Sequence, residues 1–186
     1  MGRFYIHQQT VADGPCVIAT LRGGSVERHE FATSKEAEAR AALITEGLSW
    51  LGTPFRDCAD VKGPSGAVDC AMMLCRSFVD TGNAAPFDPR PYSPRHMLHS
   101  DEQKFLGWIE KLGGIEVATP RIGDVVVWQF GRSFCHGGLL INSREVVHAY
   151  SADGMATVSG LDAPLLREIT RNLARPVKYF DCWKKT

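Results

Sequence analysis

Three residues of the sequence have types and spacings suited to nucleophilic catalysis: Cys70, His136 and His148. Cys70 follows a glycine-rich loop and begins an apolar segment that ends at Gly82, which predicts a cysteine in the first turn of a helix. Unpaired backbone N–H groups and the helix dipole favour a thiolate there, so we expect the thiol to have a lowered pKa. A histidine that accepts the thiol proton, and a second polar group that orients this histidine, would complete a catalytic triad.

The two histidines are twelve positions apart, on predicted strands that flank a turn at Asn142-Ser143-Arg144. In a hairpin closed by a three-residue turn, such residues lie directly or diagonally opposite on one face, with Cβ atoms about 5 to 8 Å apart. A turn one residue longer or shorter would place them on opposite faces. Gly137 and Gly138 would leave room beside the first imidazole for the helix that carries Cys70 or for a substrate backbone. The spacing therefore predicts two imidazoles in contact.

Each of these residues also has an ordinary structural interpretation. A cysteine in an apolar helix is usually a small core residue, which is our interpretation of Cys75. A single histidine on a strand is more often structural than catalytic. A metal site made of Cys58, Cys135 and His136 would match no standard ligand spacing, so we predict no metal and no cofactor. The six cysteines are too scattered for a disulfide framework in a chain of this length.

Composition points to an ordinary globular chain. The 186 residues are 44% hydrophobic and 23% charged, which suffices for one core of normal size. Lys+Arg and Asp+Glu both number 21, so the formal net charge of zero suggests neither a nucleic-acid nor a membrane partner. The first residues lack the apolar stretch of a signal peptide, and no segment approaches the roughly 20 apolar residues of a spanning helix. We expect a soluble protein without an export signal.

Helical patterns precede strand patterns along the chain. Helices are predicted from residue 33 to about 51, from 69 to 81 and from 101 to 112, with Thr33 and Glu36 as a capping box. Strands are predicted at 124–130, 136–142, 145–150 and 176–180, and as an earlier hairpin of residues 3–8 and 16–21 around 12–15. This order favours an α+β domain with an antiparallel sheet. The predicted division is a hairpin-like extension over residues 1–32 and a main domain over residues 33–186.

Five blocks of the sequence occur in a distinctive order. They are residues 51–56 (LGTPFR), 66–70 (GAVDC), 122–126 (IGDVV), 136–141 (HGGLLI) and 147–149 (VHA). Together they resemble the NlpC family of bacterial cell-wall cysteine peptidases, over roughly residues 40–150. The resemblance implies a papain-like α+β fold, with helices packed on an antiparallel sheet, and hydrolysis of amide bonds in peptidoglycan stem peptides, commonly between D-glutamate and a diamino acid. Carried over, Cys70 would be the nucleophile, His136 the general base and then acid, and His148 the residue that orients it.

Two further stretches, residues 91–94 (PYSP) and 123–132, are most similar to family members found in phage tails and gene transfer agents. Those proteins act from a tail tip and need no signal peptide. The resemblance thus implies a cytoplasmic location until assembly, then a virion tail with phage tail proteins as partners.

The chain departs from the family pattern at several positions. Many members have a tyrosine where this chain has Phe55, and its hydroxyl is thought to help hold the oxyanion. Backbone N–H groups at the helix start, or another donor, would then serve instead. Asp57 and Cys58 begin the stretch where two glycines are usual. Two other functions would use the same fold: a thiol acyltransferase or amidase with another substrate, and a tail-assembly or binding protein with weak activity.

Overall fold

A computed structural model describes residues 6–11, 14–20, 24–93, 98–163, 167–168 and 173–183. Four parts of the predicted features fall outside these residues. They are the start of the first predicted strand, Ala12 and Asp13 of the N-terminal hairpin, Leu21 at the end of the second predicted strand, and Pro94 of the PYSP stretch.

Three helices are described, and all three were predicted: α1 (Ser34–Leu48), α2 (Cys70–Asp80) and α3 (Lys104–Lys111). The hydroxyl of Thr33 accepts a hydrogen bond from the backbone N–H of Glu36 at 3.1 Å, so Thr33 is the N-cap of α1. The Glu36 carboxylate accepts from Nε of Arg40, also at 3.1 Å. The helix ends at Leu48, three residues before the predicted end, and Gly52 has a φ of +80° in the turn that follows.

The described strands form one large sheet and three small ones. The strands are β1 (Ile6–Val11), β2 (Gly14–Thr20), β3 (Val26–Glu30), β4 (Asp60–Val61), β5 (Ala67–Val68), β6 (Ile115–Val117), β7 (Val125–Phe130), β8 (Ser133–Leu140), β9 (Glu145–Tyr150), β10 (Met155–Gly160), β11 (Arg167–Glu168), β12 (Leu173–Ala174) and β13 (Val177–Asp181). The large sheet is antiparallel, in the order β10-β9-β8-β7-β13-β6. Strands β1, β2 and β3 form a separate sheet, and β4 pairs with β5 and β11 with β12. The predicted α+β class with an antiparallel sheet is confirmed.

The large sheet carries the core on the side where the helices pack. Helix α2 contacts β8 and β9, and α1 contacts both α2 and β8. The core includes Met73, Leu74 and Phe78 of α2 against Leu139 and Val147 of the sheet. Helix α2 is therefore held against strands β8 and β9.

Gly137 lets the helices approach β8 closely. A Cβ added there would lie 2.7 Å from Cζ of Phe105 in α3 and 2.8 Å from Cδ1 of Leu74 in α2. Gly138 lets β9 approach β8 closely, because a Cβ added at Gly138 would lie 3.0 Å from Cβ of His148. The room expected at this glycine pair is used by two helices and by the second histidine.

A buried arginine joins α1 to the sheet. Arg40 is 3% exposed and donates to Asp124 Oδ1 at 2.7 Å, to the Ile122 carbonyl at 2.9 Å and to Asp181 Oδ1 at 2.9 Å. Because Asp124 belongs to the IGDVV block, that block has a structural role: it places β7, and through it β8, relative to α1. None of the described helices has both the length and the apolar character needed to cross a bilayer.

Candidate active site

Asp69 places Cys70 at the first position of α2. Its Oδ1 accepts from the backbone N–H of Met72 at 2.9 Å, which makes Asp69 the N-cap. Its Oδ2 accepts from the backbone N–H of Cys58 at 2.7 Å and from the hydroxyl of Tyr92 at 2.5 Å. Three donors from three chain segments therefore fix the carboxylate, and with it the start of the helix.

The thiol of Cys70 points toward strand β8. Its Sγ lies 3.9 Å from the carbonyl oxygen of Cys135, the residue before His136. Burial raises the pKa of this thiol well above its usual range, and the negative charge of Asp69 adds to the effect, while the backbone N–H of Gly137 opposes it. The expectation of a lowered pKa is wrong, because desolvation outweighs the N–H groups of the helix start.

The two predicted histidines are in direct contact. Nε2 of His136 lies 2.8 Å from Nδ1 of His148. In the pairing of β8 with β9, Leu139 lies opposite Val147. The same register places Gly138 opposite His148, and His136 is two positions from Gly138. The pair is thus diagonal on one face, as the twelve-residue spacing predicts.

Asn142 closes the turn that sets this register. Its Oδ1 accepts from the backbone N–H groups of Arg144 at 2.9 Å and Glu145 at 2.8 Å, and its Nδ2 donates to the Glu145 carboxylate at 2.8 Å. A side-chain oxygen that bonds the backbone two and three residues on is typical of an Asx turn. The loop between the strands therefore has a fixed length.

Ser159 on β10 extends the histidine pair. Its Oγ lies 3.0 Å from Nε2 of His148. Two neutral imidazoles can share the 2.8 Å contact only if one nitrogen donates and the other accepts. A consistent arrangement has His148 donate from Nε2 to Ser159 and accept at Nδ1 from His136. This leaves Nδ1 of His136 without a proton, free to act as a base.

Aromatic rings surround the two imidazoles. The Tyr150 ring stacks on His148 at 5.5 Å between centroids and lies 4.8 Å from the His136 ring, while Trp128 and Phe130 lie 5.7 Å and 5.5 Å from His136. His148 is fully buried, and burial lowers its pKa to about 4.

The pKa of His136 is lowered further, well below its usual range. Burial is the main cause, and the neighbouring His148 and the positive charge of Arg175 add to it. The Arg175 guanidinium lies over the Phe130 ring, with Cζ 3.9 Å from the centroid. Burial therefore shifts the pKa of the thiol and of both imidazoles in the directions that favour their uncharged forms.

A cavity of about 290 Å³ opens between α2, α3 and the sheet. Cys70 and His136 both line it, so the nucleophile and base candidates face the same space. Six aromatic side chains and two carboxylates contribute to the lining: Phe55, Asp57, Asp69, Tyr92, Phe105, Trp108, Phe130 and Tyr150. The third predicted residue, His148, lies behind His136 and is closed off from solvent. Its position suits a residue that orients another.

Solved structures with this fold include peptidoglycan hydrolases. The chain is similar to the peptidoglycan hydrolase RipB from Mycobacterium tuberculosis, with a TM-score of 0.54 and 17% identity over 83% of this chain and 69% of that one. It is also similar to the P60 domain of an antigen from M. avium subspecies paratuberculosis, with a TM-score of 0.51 and 14% identity over 79% and 96% of the two chains. The sequence matches no model of a known protein family and no curated protein. These likenesses confirm the papain-like α+β fold of NlpC/P60 domains.

Three residues of the site were not predicted, namely Ser159, Arg175 and Tyr150. Ser159 lies on a strand that the sequence analysis did not identify, although the run Met155–Gly160 alternates in burial as a strand does. Arg175 precedes β13, 27 residues after His148, the nearest catalytic candidate, and the sequence gives no sign of its position. Tyr150 lies two residues after His148, so its place on the same face follows from strand alternation. Among the described residues, no group of three or more His, Cys, Asp or Glu side chains could hold a metal ion.

Proposed function

We propose that the protein is a cysteine peptidase that hydrolyses amide bonds in the stem peptides of peptidoglycan. One observation carries the proposal. Cys70, at the start of α2, shares a cavity with His136, and Nε2 of His136 lies 2.8 Å from Nδ1 of the buried His148. This arrangement suits a nucleophile, a base and an orienting group. The peptidoglycan substrate is proposed from the sequence blocks together with the activity named for RipB.

The proposed reaction starts from the uncharged pair. The sulfur of Cys70 attacks the amide carbonyl while its proton passes to Nδ1 of His136, so proton transfer accompanies the attack. His136 then gives this proton to the departing amine, the C–N bond breaks, and a thioester remains on the sulfur. Water attacks the thioester with His136 as base, the C–S bond breaks and the proton returns to Cys70. His148 and Ser159 hold the His136 ring in the required tautomer throughout.

The developing oxyanion needs donors within the cavity. Phe55 lines the cavity and has no hydroxyl. We assign this part to backbone N–H groups at the start of α2, where the first groups lack helical partners and the Asp69 side chain caps that of Met72.

The test compares wild type, Cys70→Ser and Cys75→Ser on defined stem peptides, with the products analysed by mass spectrometry. Cys75 lies in the same helix, and its Sγ donates to the Phe87 carbonyl at 2.8 Å, a bond that a serine hydroxyl can keep. We expect cleavage by wild type and Cys75→Ser and none by Cys70→Ser. Equal cleavage by all three proteins would remove Cys70 from the mechanism, and no cleavage by wild type would refute the peptidase.

A role at a phage or gene-transfer-agent tail is a further part of the proposal. It is supported by the PYSP stretch and by residues 123–132. Tyr92 of the PYSP stretch bonds the N-cap of the nucleophile helix, so this stretch contributes to the site itself. Detection of the protein in purified virions by immunoblotting, with disrupted particles as the comparison, tests the location.

A catalytically weak binding protein is the second candidate. Two observations favour it: burial disfavours the Cys70 thiolate, and Phe55 stands where the family usually has a hydroxyl donor. Such a protein would bind stem peptides as well after Cys70→Ser as before, and would release no product in either form. Product release by wild type alone decides for the peptidase.

A further inference from the structure

We propose that Cys135 is a resolving cysteine for Cys70, so that oxidation of the site by a peroxide joins the two residues in a reversible disulfide. The inference rests on the proposed function, because it concerns the regulation of the residue that acts there as the nucleophile. It gives a role to a half-buried thiol that the steps of peptide hydrolysis do not use. The disulfide would stop cleavage, and a reducing dithiol would restore it.

A β-bulge turns Cys135 toward the cavity. Trp128 of β7 pairs with His136 and Gln129 pairs with Phe134, so Cys135 is the extra residue in the described pairing of β7 with β8. In a regular strand, the side chains of Cys135 and His136 would point to opposite faces of the sheet. Here both residues line the cavity. The bulge therefore places a second thiol in the space that holds the nucleophile and the base.

Cys70 and Cys135 are neighbours in space, although 65 positions separate them in sequence. Sγ of Cys70 lies 3.9 Å from the carbonyl oxygen of Cys135. Burial is the main cause of the raised pKa of Cys70, and the negative charge of a Cys135 thiolate adds to it. The two thiols thus lie within range of each other's charge. Both are reduced in this structure.

The thiol of Cys135 is held weakly in its present position. Its Sγ donates to the Phe130 carbonyl at 3.7 Å, and a thiol is a weak donor. Burial raises the pKa of Cys135, while the contacts with Phe130 and Ser133 and the positive charge of Arg175 oppose this rise. Rotation about the Cα–Cβ bond of Cys135 breaks these weak contacts and no backbone pairing. This rotation is the movement that a bond to Cys70 requires.

Other cysteines near the site are less suited to this reaction. Among the described residues that line the cavity, Cys70 and Cys135 are the two that carry thiols. Cys58 and Cys75 lie outside the lining, and each donates to a backbone carbonyl, at 3.5 Å and 2.8 Å respectively. A serine hydroxyl can keep either bond, so Cys58→Ser and Cys75→Ser are matched controls.

The proposed reaction balances with hydrogen peroxide as the oxidant. The sulfur of Cys70 attacks one peroxide oxygen, the O–O bond breaks, and the thiol proton passes through His136 to the departing hydroxide, which leaves Cys70 sulfenic acid and water. The sulfur of Cys135 then attacks the sulfur of Cys70. The S–O bond breaks, and the hydroxide leaves as water with the Cys135 proton. Together the two sulfurs lose two electrons, and the peroxide is reduced to two molecules of water.

The first test identifies the bond itself and needs no peptidase activity. Wild type is treated with a small excess of hydrogen peroxide, alkylated, and digested with trypsin without reduction. We expect residues 63–76 to be linked to residues 133–144, in a chain that stays monomeric on a non-reducing gel. Cys75→Ser should give the same link, which assigns it to Cys70 rather than to Cys75 of the same peptide. Cys135→Ser should instead give sulfinic acid at Cys70, because no thiol captures the sulfenic acid.

The second test measures reversal. The activity of each protein on defined stem peptides is compared with that of its own untreated sample, after peroxide and again after dithiothreitol. Wild type and Cys58→Ser should lose activity and regain most of it. Cys135→Ser should regain at least about 5-fold less, since sulfinic acid is not reduced by thiols.

Several outcomes would overturn the inference. They are a link between residues 57–62 and 63–76, sulfinic acid at Cys70 of wild type without a link, no oxidation of Cys70, and equal recovery by Cys135→Ser. The link is read from mass spectra whether or not the peptides are cleaved. Failure of the peptidase is therefore distinguishable from failure of the disulfide.

Discussion

Gly137→Ala tests the close approach of the two helices to the strand that carries His136. The added Cβ would lie 2.7 Å from Cζ of Phe105 and 2.8 Å from Cδ1 of Leu74, closer than carbon atoms approach in proteins. Phe105 is 3% exposed and Leu74 is 2% exposed, so both side chains are surrounded and neither can move into solvent.

The size of the effect follows from two opposing contributions. Forcing a methyl group into a packed core costs about 1–3 kcal/mol. Replacing glycine in a strand by alanine returns about 0.5–1 kcal/mol, because alanine has fewer unfolded conformations to lose. We expect a net loss of roughly 1–2 kcal/mol in the free energy of unfolding, or about 2–8 °C in Tm for a chain of this length.

Gly107→Ala is the matched control. Gly107 lies in α3, and an added Cβ there would meet nothing within 4 Å. This variant should be more stable than wild type by about 0.5–1 kcal/mol. Unfolding by heat and by urea, followed by circular dichroism, measures both variants.

The same clash should separate α2 from β8, and hence Cys70 from His136. We therefore expect Gly137→Ala to lower the maximal rate of peptide cleavage at a temperature where the variant is fully folded, and Gly107→Ala to leave it unchanged. A Gly137→Ala variant at least as stable as wild type would show that the helices do not press on β8 as described.

Three other predictions concern the charges and protons of the site. Removing the positive charge of Arg175 with Arg175→Gln should raise the lowered pKa of His136, so the acid limb of the kcat/KM profile should move to higher pH. Arg175→Lys should leave it in place, and an unmoved limb in both would refute the electrostatic effect. The pKa of His148 is about 4 when folded and about 6.5 when unfolded, so the unfolded state binds more protons between these values. The stabilisation that comes from this shift should be fully present above pH 6.5, and the free energy of unfolding should fall by about 3 kcal/mol toward pH 4. The free energies of urea unfolding of wild type and His148→Gln should therefore converge as the pH falls. A difference between the two proteins that does not change with pH would contradict this. Tyr92→Phe removes the hydrogen bond to Asp69 and should cost about 1–3 kcal/mol in urea unfolding, while an unchanged midpoint would show that this bond does not hold the start of α2.

Several features of the site could be predicted because they depend on neighbours in sequence. The nucleophile helix was predicted from residue 69, and it begins one residue later, because Asp69 is its N-cap. The turn at Asn142 is closed by its own side chain, and a twelve-residue spacing across it puts two residues on one face of a hairpin. Helix positions followed from the same local signals, with errors of a few residues at their ends. The roles of Cys70, His136 and His148 in catalysis and the division at residue 32 stay predictions.

Other features depend on distant segments, and the sequence analysis missed them. The bond between Ser159 and His148 arises from pairing of β9 with β10. Tyr92 reaches Asp69 across 23 positions of sequence. The direction of the Cys70 pKa was predicted wrongly, because a local rule for helix ends takes no account of how much water the rest of the fold removes.

The sequence by itself determined which residues are available for chemistry and how near each other the two histidines lie, since helix caps and hairpin registers are set within a few residues. Only the tertiary structure decided the protonation of those residues and the shape and charge of the cavity they face. Desolvation and long-range electrostatics depend on every segment that packs around a group, and that packing exists only once the whole domain has folded.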